Sequence, residues 1–591
     1  METASISDLP KSDLPSWDLS DLYKSPTCDE LVNDKAILLD LVEDFAKKYH
    51  HKIATCSIDE LLKAMVSYEA ILELTAKLSS YADLIYATQT TNVEIAKHYQ
   101  DIGDFVNECS SQIVFFTLEL SQLDKTKLNG AILQQFQPWI NDVVAYLPYQ
   151  LNEDLERIIL EKQSVSNGSW LRLYEDICNR MVCEINGNNL TLSEALDLLS
   201  HNNADTRKLA AEALSLAFNE KIETFSLIFN VIIKDKQIDD AWRGFKKPAS
   251  SRNLSNLVED EIVDKLVRSV QANYSALSEK YYRWKAKKLG KSQLDFWDRN
   301  APLPYDDDKY ITWEEAKTIV LQAYGDFSPQ MAEIAESFFA NNWIDAPVIV
   351  GKTSGAFSHP CATTIHPYIL LNYQGKMQDV MTLAHELGHG VHQILAAKQG
   401  ALMADTPLTL AETASVFAEQ LTFQYLLKNE QNPQLRQNLI AGKIEDMLNT
   451  VVRQIAFYQF ESQAHEMRKN GELTPTQISE IWLQTQAESF GDAVALDEKY
   501  APFWAYISHF YHSPFYVYAY AFGDCLVNSL YAIYAEGAHS DFEAKYLQML
   551  SAGGSLRHKE LLAPFGLNIA EDDFWQKGLN YIAKLIDMLD D

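Results

Sequence analysis

The chain has 591 residues, 47% of them hydrophobic, a length that predicts about three to four domains or lobes. A formal net charge of −32 excludes a nucleic-acid partner, because a phosphate backbone calls for a basic face. Seven scattered cysteines, odd in number and without a CxxC pair, exclude a disulfide framework and a thiolate-held structural zinc.

The opening stretch, "METASISDLPKSDLPSWDLSDLYKS", is polar and acidic and lacks the basic start and apolar core of a signal peptide. With reduced thiols, this predicts a cytoplasmic protein. Residues 28–140 predict a run of helices with apolar residues at i, i+3, i+4 and i+7, and "QFQPWINDVVAYLPYQLNEDLERIILEKQ" continues the pattern with breaks at Pro138 and Pro148. "MVCEINGNNLTLSEAL" changes period. It predicts a short hairpin around Asn186-Gly187, running into a helix whose Thr191 and Glu194 fit a capping box.

Residues 194–290 are helical in pattern again. Lys246–Asn256 and Arg299–Tyr310 read as loops, and helices resume near Trp313. Between Asp345 and Lys376, Val348–Val350 and Ile369–Tyr373 predict short strands joined by a Gly/Ser/His-bearing loop. From Gln378 the pattern is helical to the end. The stretch Tyr500–Gly523 holds no Asp, Glu, Lys or Arg and is long enough to cross a bilayer. Its two prolines, two histidines and six tyrosines predict burial inside a protein instead, with no membrane partner. The whole is a mostly α fold, with a small β-sheet beside the helix that carries the next motif.

That motif is "DVMTLAHELGHGVHQILA", Asp379–Ala396. His385 and His389, four apart on one helix face, can each turn a ring nitrogen to one ion. Glu386 stands about 100° round the helix from His385, which suits a general base acting on a water at the ion rather than a ligand. Gly388 and Gly390 flank the second histidine, although each costs roughly 1 kcal/mol against alanine in a helix. They are explained if substrate or another backbone passes close.

A catalytic zinc takes three protein ligands and keeps one position open. His392 is excluded as the third, because seven residues put it about 10 Å along the axis from His385. The longer HExxHxxGxxH spacing is absent, since position 396 is alanine. Downstream, "TPLTLAETASVFAEQLTFQYLLK" predicts a helix in which Glu412 stands among apolar neighbours. A carboxylate there is expensive unless paired or bound to metal, so Glu412 is the preferred third ligand. Glu419, at i+7 on the same face, is either a residue orienting a histidine or Glu412, or a surface residue.

"LAHELGHGVHQ" followed by "LAETASVFAEQ", with "GKTSGAFS" and "YILLNYQGKMQDVMTL" before them, resembles the M3 metallopeptidases, and within these the oligoendopeptidase F branch. The resemblance implies one zinc ion held by His385, His389 and Glu412, with Glu386 as general base. It implies a two-lobed helical protein with a deep central cleft that admits short unstructured peptides. It divides the chain into an N-terminal helical region (1–115), a helical region with a hairpin (116–200) and a catalytic region (201–591). A histidine and tyrosines from a late segment are implied over the zinc. Here that segment offers His509 and Tyr516 as donors to a developing oxyanion, with His512, Tyr518 and Tyr520 as substrate contacts. Gly355, Ala356 and Phe357 resemble the substrate-binding edge, where an extended peptide could add as a strand. His359 and His366 are surplus as ligands and are expected to be structural or to line the site.

The function implied is endopeptidase action on short peptides. A zinc exopeptidase and a non-catalytic peptide-binding protein are the alternatives, and the first lacks a convincing charged anchor for a chain terminus. Nothing in the sequence sets an oligomeric state.

Overall fold

The structure is a computed structural model that describes residues 14–163, 165–303, 310–538 and 540–590. The first 13 residues and part of the Arg299–Tyr310 loop lie outside the described residues. The chain divides into two compact units, each assembled from three segments: residues 1–147, 308–429 and 537–566 in one, and 148–307, 430–536 and 567–591 in the other.

In the first unit the helices Asp29–Tyr49, Ile58–Thr88 and Val93–Ile113 pack on one another. Leu31, Leu38, Val42, Phe45 and Tyr49 form one buried stripe of the first helix, at helical spacing. The second begins with a capping box between Ser57 and Glu60, which satisfies donors at the helix start. Pro138 does not break a helix; it stands at the start of Gln137–Ala145, where a missing N–H is harmless.

A three-stranded sheet follows. Tyr368–Leu370 lies in the centre, parallel to Ile344–Asp345 and antiparallel to Phe357–His359, which is left as an edge. The strand expected at Val348–Val350 is instead a loop, with Val350 98% exposed. Lys352, buried, is held by the Asp345 carboxylate at 2.6 Å and the carbonyls of Asp345 and Pro347, which fixes this loop without a ladder.

In the second unit the 40-residue helix Ala204–Arg243 packs on Val452–Arg468 and Pro475–Phe490. The expected hairpin pairs Val182–Ile185 with Asn188–Thr191, and Asn186 and Gly187 both have positive φ, as its tight turn requires. The capping box of Thr191 and Glu194 is present. Lys246–Asn256 is not wholly a loop, because Ser250–Ser255 forms a short helix. Leu294–Asp295 and Val494–Ala495 form a small parallel pair that the helical reading of the C-terminal part did not anticipate. The aromatic stretch is folded as Glu498–Tyr506, His509–His512 and the start of Tyr518–Ala535, with most rings buried. Among the described residues no helix is long and apolar enough to cross a membrane.

Candidate metal centre

The HELGH motif lies in the helix Met377–Ala396, which buries Val380, Leu383, Ala384, Leu387 and Val391. The helix Leu408–Asn429 packs along it. Gly388 is what lets the two approach. A Cβ on Gly388 would stand 2.7 Å from the Ala414 carbonyl oxygen, 2.7 Å from the Ser415 Cα and 2.9 Å from the Ala418 Cβ. On Gly390 it would meet the Phe338 ring at 2.5 Å. Another backbone therefore passes close, and it is the backbone that carries Glu412. Gly388→Ala is expected to destabilise the protein by about 1–3 kcal/mol, because backbone cannot yield as a side chain can. Gly442→Ala is the control. Its Cβ would meet nothing within 4 Å in the helix Pro433–Thr450, so it is expected to be neutral or mildly stabilising. Urea melts of both variants check the contrast.

The close approach brings three ligand atoms together. Glu412 Oε2 stands 3.4 Å from His385 Nε2 and 3.5 Å from His389 Nε2. The two imidazole centroids are 4.8 Å apart at 78°. Donors bonded tetrahedrally to one ion at 2.0–2.1 Å stand about 3.3 Å from each other, so these residues fit a zinc ion. Among the described residues the only other such trio is His50, His51 and Glu119. There Glu119 accepts the backbone N–H groups of His51 (2.6 Å) and Ile53 (3.3 Å), which accounts for it as a chain-reversal cap.

Neighbouring groups orient the ligands. Glu419 Oε1 lies 2.5 Å from His385 Nδ1, which leaves Nε2 to face Glu412. Of the two readings of Glu419, this favours the residue that orients a histidine. Ser415 Oγ donates to Glu412 Oε2 at 2.8 Å. Sequence reasoning gave Ser415 no role, although its i+3 spacing from Glu412 was the available signal. Tyr324 Oη donates to the Ala384 carbonyl at 2.5 Å and Tyr546 Oη to the Thr413 carbonyl at 3.1 Å, so each helix is tied down beside its ligand.

Burial opposes charge on His385, but the Glu419 hydrogen bond and the charges of Glu419, Glu412 and Glu386 outweigh it and raise its pKa to about 9. Burial likewise opposes charge on Glu412, yet the His389 hydrogen bond, the electrostatic pull of His389 and His385 and the Ser415 hydrogen bond bring it down to about 2. Glu386 is 6% exposed, and burial pushes its pKa up despite both histidines. Such a carboxyl holds a proton more readily than a solvated one.

His392 is buried with Nε2 3.4 Å from Thr406 Oγ1, and burial lowers its pKa to about 4. It is a neutral packing residue, as its helical position required. His359 Nε2 lies 3.0 Å from Ser80 Oγ. His366 stacks on Trp343 at 3.8 Å, with Nε2 3.0 Å from Asp21 Oδ2. His359 ties the sheet region to the helix Ile58–Thr88, and His366 ties it to the turn before the first helix.

Gly355 has φ +83°, and its carbonyl accepts from Asn372 Nδ2 at 2.9 Å. Ala356 and Phe357 follow into the edge strand. Ser358 Oγ donates to Gln393 Oε1 at 2.8 Å, and Gln393 Nε2 donates to the Ser358 carbonyl at 3.2 Å. That two-way link registers the edge strand against the HELGH helix, and Gln393 had no role in the sequence reading.

In the second unit, His509 Nε2 lies 3.1 Å from Tyr520 Oη, and the Tyr516 ring stands 5.7 Å from His509 and 5.1 Å from Tyr520. All three are partly exposed. Burial and the neighbouring His512 lower the His509 pKa. Tyr518 does not belong with them. It is 0% exposed, and its hydroxyl accepts from Asn256 Nδ2 at 2.8 Å, so it is a core residue and not a substrate contact. His512 is exposed and engages Glu175 Oε1 at 3.7 Å and the edge of Tyr174.

Residues 198–581 match the family model described as Peptidase family M3, and residues 119–182 the model described as Oligopeptidase F. The chain is 26% identical over 572 residues to oligopeptidase PepF of Bacillus subtilis, covering 94% of this chain and 84% of that one. It is 28% identical over 560 residues to the oligoendopeptidase F homolog of Borreliella burgdorferi, covering 91% of each. The solved oligoendopeptidase-F of Enterococcus faecium shares the fold with a TM-score of 0.73 at 18% identity, covering 95% of this chain and 98% of that one.

Proposed function

Because the chain belongs to peptidase family M3 and is a metallo-oligopeptidase of the oligoendopeptidase F type, we propose that it is a zinc-dependent endopeptidase acting on internal bonds of short, unstructured peptides. The observation that carries this reading is the Glu412 carboxylate, 3.4 and 3.5 Å from the two histidines of the HELGH helix. His385, His389 and Glu412 would hold one zinc ion. When bound, it supplies a positive charge that polarises the scissile carbonyl and acidifies water.

The chain's own groups supply the rest. Glu386 takes the proton from the attacking water and delivers it to the leaving amine, a role its raised pKa supports. Glu419 keeps His385 in the tautomer that presents Nε2. The Phe357–His359 edge, entered through Gly355 and Ala356, binds the peptide backbone as an added strand. Tyr516 and His509 donate to the oxyanion, and Tyr520, beside His509, and His512 contact the substrate. The seven free cysteines suit a cytoplasmic location. Restriction to oligopeptides is supported by the names of the relatives.

Peptides with both ends blocked and a quenched fluorophore pair separate the readings. An endopeptidase cleaves them at internal bonds at rates comparable to their free-ended counterparts. An exopeptidase on the same metal leaves them intact, and a peptide-binding protein turns over neither set.

A further inference from the structure

The turn before Tyr516 is held in an unfavourable shape. Ser513 to Tyr516 is closed by the Tyr516 N–H donating to the Ser513 carbonyl at 3.0 Å, with Pro514 second and Phe515 third. Phe515 has φ +61°. The third position of such a turn ordinarily takes glycine, and a bulky side chain in the left-handed region persists only where its surroundings impose it.

Three contacts impose it. Glu461, on the helix Val452–Arg468, accepts the Phe515 N–H on Oε1 at 2.8 Å. Arg252 Nε donates to the Pro514 carbonyl at 3.3 Å. The Phe515 ring, 1% exposed, packs against Tyr458 at 5.7 Å and His465 at 4.7 Å.

Glu461 is the costly member. It is 0% exposed, and its Oε2 has no hydrogen-bond partner. Burial raises its pKa to about 8, against the Phe515 hydrogen bond and the charges of Arg252 and Lys236. The nearby His465 is buried too, with its Nε2 unpartnered, so it gives this carboxyl no salt bridge. A leucine would fill the same space without burying an unpaired polar oxygen. What it would not do is receive the N–H of a left-handed Phe515.

We propose that Glu461 is a positioning residue: through the Phe515 N–H it fixes the Ser513–Tyr516 turn, and with it the Tyr516 hydroxyl assigned above to the oxyanion. The inference rests on that assignment. Glu461 touches no substrate; it acts one residue away, on the backbone that aims the ring.

A double-mutant cycle tests this, reading kcat and KM on a blocked, quenched peptide. Zinc content and melting temperature are measured on every variant. Tyr516→Phe is expected to lower kcat by about 10²-fold, as loss of an oxyanion donor does. Glu461→Leu is expected to lower kcat by about 10-fold or more at little-changed KM, since a displacement of about 1 Å is enough for that. Glu461→Gln restores most of it, because its carbonyl accepts the same N–H. The Glu461→Leu/Tyr516→Phe double variant is expected to be no slower than Tyr516→Phe alone. Losses that multiply in the double variant, or Glu461→Leu at full kcat beside an impaired Tyr516→Phe, overturn the role of Glu461 and leave that of Tyr516 standing. Tyr516→Phe at full kcat overturns the assignment beneath it. Glu461→Met carries the same expectation if the leucine variant does not fold.

Discussion

Glu386→Gln is expected to lower kcat by about 10²–10⁴-fold while the protein still binds its metal. The amide has nearly the shape of the carboxyl and can hold a water by hydrogen bonds, but it cannot accept the proton that makes that water a nucleophile. Glu386 is one residue from His385 on the helix, so it projects about 100° away from His385 and is not among the three residues proposed to hold the ion. Zinc content should therefore stay near one per chain and KM should change little. Its side chain is buried, and the neutral amide removes a charge that burial disfavours, so stability should not fall. Turnover at the parent rate in the zinc-loaded variant would put the base elsewhere.

Glu412→Ala has a comparably large effect by another route. It removes the carboxylate oxygen that stands against both imidazole Nε2 atoms, leaving the proposed zinc two ligands where it needs three. The purified variant should lose its zinc on dialysis and with it its turnover, and added zinc should restore little. Glu419→Ala marks the contrast. It leaves all three proposed ligands in place and removes the partner of His385 Nδ1, so metal affinity should fall by about 10–100-fold and excess zinc should recover activity. Metal analysis beside peptide turnover, with and without added zinc, distinguishes the two carboxylates.

Much of this arrangement is legible in the residues. The i, i+4 spacing of His385 and His389 is a helical fact that needs no tertiary information. The isolation of Glu412 among apolar neighbours marks it as a group with a partner, since burial of a lone carboxylate is so costly. The exclusion of His392 followed from helix rise alone, and its ring is packed against Thr406. The reason for Gly388 could be framed but not settled from sequence. That a backbone runs 2.7 Å from its absent Cβ is a tertiary fact.

The failures share a cause. Val348–Val350 has the composition of a strand, but Lys352 just after it reaches back to Asp345 and Pro347 just before it, and among the described residues no strand pairs with it. Tyr518 reads like its neighbours Tyr516 and Tyr520, yet at the start of a helix it points to the core side, where Asn256 meets its hydroxyl. Which of several tyrosines in one aromatic run faces solvent depends on where the helix begins, and that start is set by the Ser513–Tyr516 turn. The two-stranded parallel pairing of Leu294 with Val494 joins residues 200 apart, beyond any local pattern.

The most direct test is anomalous diffraction at the zinc edge from crystals of the purified protein. One peak is predicted, bonded to His385 Nε2, His389 Nε2 and Glu412 Oε2 at about 2.0–2.2 Å, with solvent at the remaining position. A peak on the two histidines with the Glu412 carboxylate well outside bonding distance, or no peak at this site in active protein, would contradict the account.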